Sequence, residues 1–122
     1  MQTKINWFEI PADDLSRASK FYETIFDTTL RTETSEFAPM AIFTDSDGNS
    51  LGALTKADFC EPGHGGTLVY LDAGPSIQTV IDRIAGAGGK VIMDKFALPK
   101  QLGYIAHFTD SEGNRIALHA MQ

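Results

Sequence analysis

Phe43-Thr44-Asp45-Ser46-Asp47-Gly48-Asn49-Ser50-Leu51-Gly52-Ala53-Leu54 decides the fold, because the pattern returns with an offset of 65, from position 43 to position 108. The second copy reads Phe108-Thr109-Asp110-Ser111-Glu112-Gly113-Asn114-Arg115-Ile116-Ala117-Leu118-His119. In each copy an apolar run ends in an acidic residue, an Asp/Glu-Gly-Asn tripeptide supplies the turn, and an alternating strand follows. This is the signature of a β-hairpin, in which Gly and Asn tolerate positive φ. Duplication of a half-sized unit accounts for the repeat, and neither half is large enough to bury a sufficient core alone.

The rest of the chain arranges itself around the two hairpins. Ile5 to Ile10 is rich in β-branched and aromatic residues and is closed by Pro11, so it reads as a first strand. Alternation puts Trp7 and Glu9 on one face and Asn6, Phe8 and Ile10 on the other. Asp13 or Asp14 then caps a helix in which Leu15, Ala18, Phe21, Tyr22, Ile25 and Phe26 recur at spacings of three and four. Thr28 to Arg31 and Met40 to Thr44 read as short strands flanking the polar stretch Thr32 to Pro39. Residues 1–56 thus form a β-α-β-β-β module, and 57–66, with Pro62, Gly63, Gly65 and Gly66, form a linker. The order repeats over 67–122: a strand from Thr67 to Asp72, a helix capped by Ser76 and carrying Ile77, Val80, Ile81 and Ile84, a stop at Gly86, Gly88 and Gly89, a strand from Lys90 to Met93, a loop from Ala97 to Gly103, and the second hairpin.

Composition narrows the function classes. Of 122 residues, 43% are hydrophobic and 21% charged, which is ordinary for a globular protein. Ten Lys and Arg against sixteen Asp and Glu leave a net charge of −6, which opposes nucleic acid or anionic membrane as partners. No apolar run reaches the roughly 18 residues of a membrane helix, and the start, Met1-Gln2-Thr3-Lys4, lacks the form of a signal segment, so a cytoplasmic location is expected. Cys60 is the single cysteine, which excludes an intrachain disulfide and a thiolate metal cluster, and the neighbouring Glu61 disfavours a thiolate. Asp45-x-Asp47-x-Asn49 opens like a calcium loop but has Ser50 and Lys56 where Gly and Glu are required. Gly63-His64-Gly65-Gly66 lacks the Lys and the strand-to-helix setting of a phosphate cradle.

The paired βαβββ order, together with Pro11 to Leu15, Phe21-Tyr22, Ala87 to Val91 and Asp110 to Ile116, resembles the vicinal oxygen chelate superfamily, which includes glyoxalase I, extradiol dioxygenases and the bleomycin- and fosfomycin-resistance proteins. The resemblance implies an α+β fold in which two tandem modules curl a mixed sheet into a cup with helices outside, usually in homodimers. It also implies a divalent metal in the cup, held by His, Gln or Glu from the first and last strand of each module and acting as a Lewis acid on an enediolate-like intermediate. Carried onto this chain, those four positions fall on Trp7, Gly52, Leu68 or Val69, and Ala117, none of which can ligate. The family's metal site is therefore not carried over, and no cofactor is expected.

The leading expectation is a metal-free small-molecule binder of the glyoxalase/bleomycin-resistance type. Trp7, Glu9, Gly52, Ala117 and His119 face the cup, Trp7 as a stacking wall, Glu9 as a polar handle able to act as a base or bind a cationic group, and Gly52 and Ala117 leaving room. An alternative is a metal-dependent lyase, isomerase or dioxygenase with a displaced site. Glu9 and His119 each lie two residues from a lost ligand position and so share its face, with His64 or His107 completing the set. In the plainer version Glu9 and His119 sit at the rim, and His107 is paired within its hairpin. A third possibility is a dimeric interaction module whose cup is filled by its own side chains.

Overall fold

The computed structural model describes residues 2–34 and 39–122. Its elements run β1 (Glu9–Pro11), α1 (Leu15–Phe26), β2 (Arg31–Thr34), β3 (Pro39–Thr44), β4 (Ser50–Thr55), β5 (Tyr70–Asp72), α2 (Ile77–Ala87), β6 (Lys90–Ala97), a 3-10 turn (Pro99–Gln101), β7 (Tyr104–Thr109) and β8 (Arg115–Ala120). They form two four-stranded sheets, ordered β1-β4-β3-β2 and β5-β8-β7-β6, each with a parallel outer pair and two antiparallel pairs. The fold is therefore α+β, two tandem βαβββ modules with no closed barrel.

Both helices form for local reasons. The Asp14 carboxylate accepts from the Arg17 N–H at 3.0 Å and caps α1, whose Ala18, Phe21, Tyr22 and Ile25 are buried as one stripe. Ser76 stands at the N-cap of α2 but makes no side-chain cap bond, and Gly88 closes the helix at φ 107°, a conformation that favours glycine. Gly86, expected among the stop residues, lies inside the helix.

Several strand limits differ from the periodic reading. Thr28 to Leu30 is the helix exit rather than a strand: Asp27 is left-handed, and the Thr28 and Leu30 N–H groups are taken by the Glu23 carbonyl and carboxylate. Pairing with β3 begins only at Arg31, so Thr32 to Thr34 are strand, while residues 35–38 of the expected loop lie outside the described residues. The first and fifth strands are shorter than expected, Glu9–Pro11 and Tyr70–Asp72. The pairing still reaches one step further, through Ala53 N–H to the Phe8 carbonyl and Ala117 N–H to the Val69 carbonyl, both at 3.0 Å. β6 continues past Met93 to Ala97 by way of two irregularities in its pairing with β7.

The helices pack on each other and on one face of both sheets, so a single core joins the modules. Ile10, Leu54, Phe108, Ile116 and Leu118 point into it. The opposite faces, carrying Glu9, Ala53, Tyr70, His107, Ala117 and His119, line the cup. Tyr22 binds the two halves at the core's centre, its hydroxyl donating to the Asp110 carboxylate at 2.6 Å. Burial, then the nearby carboxylate, raise the Tyr22 pKa well above the ordinary phenol value, so it stays a donor.

Candidate functional site

The hairpin register decides which side chains enter the cup. In the second hairpin Thr109 faces Arg115, Phe108 faces Ile116 and His107 faces Ala117, without interruption. In the first, Thr44 faces Ser50 but Phe43 faces Gly52, so Leu51 is an extra residue and everything beyond it is shifted by one. A shift of one reverses the face of every following side chain. Ala53, not Gly52, is consequently the counterpart of Ala117, opposite Ile42 and beside Glu9.

This corrects the place of Gly52. It lies on the helix side, and a Cβ added there would overlap the ring of Phe8, so Gly52 admits Phe8 to the core rather than leaving room for a ligand. Gly52→Ala should displace that ring and destabilise the protein by about 2 kcal/mol in a urea titration, the usual cost of overpacking. An unchanged midpoint would show that Phe8 is free to move aside.

Trp7 and Glu9 are brought together. The indole Nε1–H donates to Glu9 Oε2 at 3.1 Å, and both side chains are exposed. Glu9 is thus at the rim and engaged, not enclosed in an apolar cup. Its charge reaches Cys60, whose thiol is raised first by burial and then by Glu9, so no ready thiolate is present there. Trp7, Phe8 and Ile5 form one wall of a cleft of about 720 Å³, and Leu68, Tyr70 and Leu71 form another. These walls are mostly apolar.

Ala117 is fully buried on the cup face, and His119 lies two residues along the same strand. His119 borders an adjoining cavity of about 410 Å³ with Leu98 and Ile105, and its Nε2 lies 2.7 Å from the Leu102 carbonyl. The carbonyl can only accept, so His119 is protonated at that nitrogen and is spent as a ligand there. His64 Nε2 is 3.3 Å from the Thr109 hydroxyl, and His107 is held by Arg115 across its hairpin. Each imidazole has its own partner, and among the described residues no three His, Cys, Asp or Glu side chains converge as a metal set. At the four positions implied by the family, with Ala53 in the place expected for Gly52, Trp7, Ala53, Leu68 or Val69, and Ala117 offer no side-chain lone pair to a cation, so the residues present do not fit the family metal.

The polar cluster that periodicity did not pick out stands around Ala117. Tyr70 on β5 and His107 on β7 are its neighbours on either side in the sheet, and their side chains meet over it with Tyr70 Oη 3.3 Å from His107 Nε2. Arg115 donates to His107 Nδ1 from Nε at 3.1 Å and from Nη2 at 2.9 Å. Burial and then the Arg115 charge hold His107 below the usual imidazole pKa. Arg115 lies diagonal to His107 in an antiparallel pair, a relation that the turn Asp110 to Asn114 encodes once the register is known. Tyr70 occupies in the second module the place of Glu9 in the first, since each pairs with the corresponding alanine.

Comparison with known proteins agrees with this architecture. The family model described as the Glyoxalase/Bleomycin resistance protein/Dioxygenase superfamily matches residues 4–118. A glyoxylase-like domain-containing protein of Didymella fabae is 29% identical, covering 94% of this chain and 91% of its own. Among solved structures, a glyoxalase I mutant from Zea mays superposes with a TM-score of 0.68 at 20% identity over 94% of this chain, which spans only 45% of the maize chain. A genomically encoded fosfomycin resistance protein from Listeria monocytogenes gives a TM-score of 0.70 at 15% identity, over 98% of this chain and 92% of its own. Repeat, sheet order and family match coincide over nearly the whole length, and the chain belongs to the glyoxalase/bleomycin resistance protein/dioxygenase superfamily.

Proposed function

We propose that this protein binds an apolar or aromatic small molecule in the cleft between residues 5–8 and 67–72, without the metal typical of its superfamily. The observation that carries the reading is the cleft itself: about 720 Å³ within the size range of small-molecule sites, walled by Trp7, Tyr70 and aliphatic side chains and bordered by few polar groups. Ala53 and Ala117 stand where large ligating side chains would project, and both are buried. Trp7 is 37% exposed, and its indole N–H is oriented by Glu9, so one ring face can receive a flat ligand.

Trp7 is the only tryptophan, so its indole N–H resonance and its fluorescence report on the cleft alone. Screening aromatic compounds by that resonance is expected to give saturable shifts. Trp7→Ala should weaken the same compounds by about tenfold or more when followed on Leu68 or Leu71 methyl signals, the loss of one large aromatic contact. Undiminished affinity in Trp7→Ala would remove Trp7 as the wall of the site.

A further inference from the structure

We propose that Tyr70 is the hydrogen-bond donor of the cleft, held in that role by Arg115 acting through His107, and that it recognises a neutral oxygen acceptor, a ketone or aldehyde carbonyl, on an apolar or aromatic molecule. The inference rests on the cleft being a small-molecule site and names the chemistry it selects.

Arg115 has donors and no acceptor. Two of its N–H groups point at His107 Nδ1, at 3.1 and 2.9 Å, so that nitrogen carries a lone pair. An imidazole with a lone pair on Nδ1 is neutral and bears its proton on Nε2. That proton is directed at Tyr70 Oη, 3.3 Å away, so the phenol oxygen accepts. The phenol's own proton is then left for a partner outside the cluster. Tyr70 is 48% exposed and borders both the 720 Å³ cleft and the 410 Å³ cavity, so the proton is presented where a small molecule fits.

Ala117 makes the arrangement possible. It lies between Tyr70 and His107 in the sheet, and its single methyl lets the two rings close over it, edge to face with centroids 5.8 Å apart. Charge selects the acceptor. Asp72 lines both the cleft and the adjoining cavity, Glu9 stands on the same cup face and the chain carries −6, while the one cation of the cluster, Arg115, lies behind neutral His107, so an anion is disfavoured and a neutral carbonyl is not. Arg115 and His107 are positioning residues, and Tyr70 touches the bound molecule.

The tautomer is measured first, on the full chain labelled with nitrogen-15 at histidine. At neutral pH His107 should be unprotonated at Nδ1 and protonated at Nε2, and Arg115→Met should produce a mixture of tautomers. A proton on Nδ1 in the unaltered protein would overturn the proposal by itself. Three matched probes, 2-acetonaphthone, 2-isopropenylnaphthalene and 2-naphthoate, are then titrated on the Trp7 indole resonance. The ketone should bind about fivefold more tightly than the alkene, the worth of one hydrogen bond, and the carboxylate most weakly. Tyr70→Phe should erase the difference between ketone and alkene, bringing the ketone's affinity down to that of the alkene. Equal affinities in the unaltered protein, a difference that survives Tyr70→Phe, or a preference for the carboxylate would overturn the proposal while leaving the cleft as a binding site. Failure of all three probes to bind would overturn the cleft reading and the proposal together.

Discussion

Glu112→Gln is expected to destabilise the protein by about 3 kcal/mol, because it removes the charge that fastens the second hairpin to the first helix. The carboxylate accepts from the Asp13 and Asp14 N–H groups at 2.9 and 2.8 Å, from Arg17 Nε and Nη2 at 2.7 and 3.0 Å, and from Ser111 Oγ at 2.9 Å. Its side chain has no exposure, whereas that of Arg17 is 54% exposed. The screened ion pair is therefore the smaller part of the loss; the two backbone N–H groups share Oε1, which Gln keeps, and the larger part is the replacement of Oε2 by an amide nitrogen that sets donors against Arg17 Nε and Ser111 Oγ in a buried place, while weakening the acceptor left to the helix start. Asp47, its counterpart in the first hairpin, is exposed, and Asp47→Asn should change stability by less than about 0.5 kcal/mol. Similar losses in the two variants, measured by urea denaturation, would refute this division of roles.

The same contacts set an acid limit. Burial works to raise the Glu112 pKa, but the hydrogen bonds from Arg17, Asp14 and Ser111 outweigh it and hold the group at about 2 against an ordinary 4.5. The folded pKa is the lower one, so the unfolded chain takes up this proton first. The stabilisation is complete above pH 4.5 and is lost as pH falls toward 2. Stability measured between those values should fall less steeply in Glu112→Gln than in the unaltered protein.

Phe108→Ala is expected to cost about 4 kcal/mol, lowering the melting temperature by on the order of 15 °C. Phe108 has no exposure and lies with ring centroids 5.9 Å from Phe21 and 6.4 Å from Tyr22, where the second sheet meets the helix of the first module. Little around that point can collapse into the gap, since Gly89 already lies so close to Phe21 that an added Cβ would come within 2.7 Å of its ring. Phe43, the repeat counterpart, retains 9% exposure and touches Tyr22 and Phe8, so Phe43→Ala should cost less, about 3 kcal/mol. Calorimetry on both variants checks the order, and a larger loss at Phe43 would contradict it.

The two hairpins show how one motif came to serve two purposes. In the first, Asp45 Oδ1 accepts from the Asp47 and Asn49 N–H groups, and among the described residues the bonds of Asp45 stay within the turn. In the second, Asp110 makes the same bonds to Glu112 and Asn114, but it also receives the Tyr22 hydroxyl, and Asn114 Nδ2 reaches the Pro11 carbonyl at 2.7 Å. Glu112, one methylene longer than Asp47, spans the remaining distance to α1. The repeat was legible in the sequence, but the different employment of its copies was not, because the partners lie about a hundred residues away.

The amino-acid sequence by itself determined the helices, the hairpins and the doubled βαβββ order, and with them the family, since caps, turns and apolar periodicity act between residues a few positions apart. The face of each cup residue was decided only in the tertiary structure. The extra residue at Leu51 turned Gly52 to the core and put Ala53 in the cup, a choice made by cross-strand pairing and by the Phe8 ring that fills the space above Gly52. Trp7, Glu9, Ala117 and His119 kept the faces that alternation assigns, yet Glu9 and His119 found separate partners, Trp7 and Leu102. Tyr70, His107 and Arg115 were assembled from three strands, because only sheet order places β8 between β5 and β7 and so lets a tyrosine and a histidine meet across an alanine.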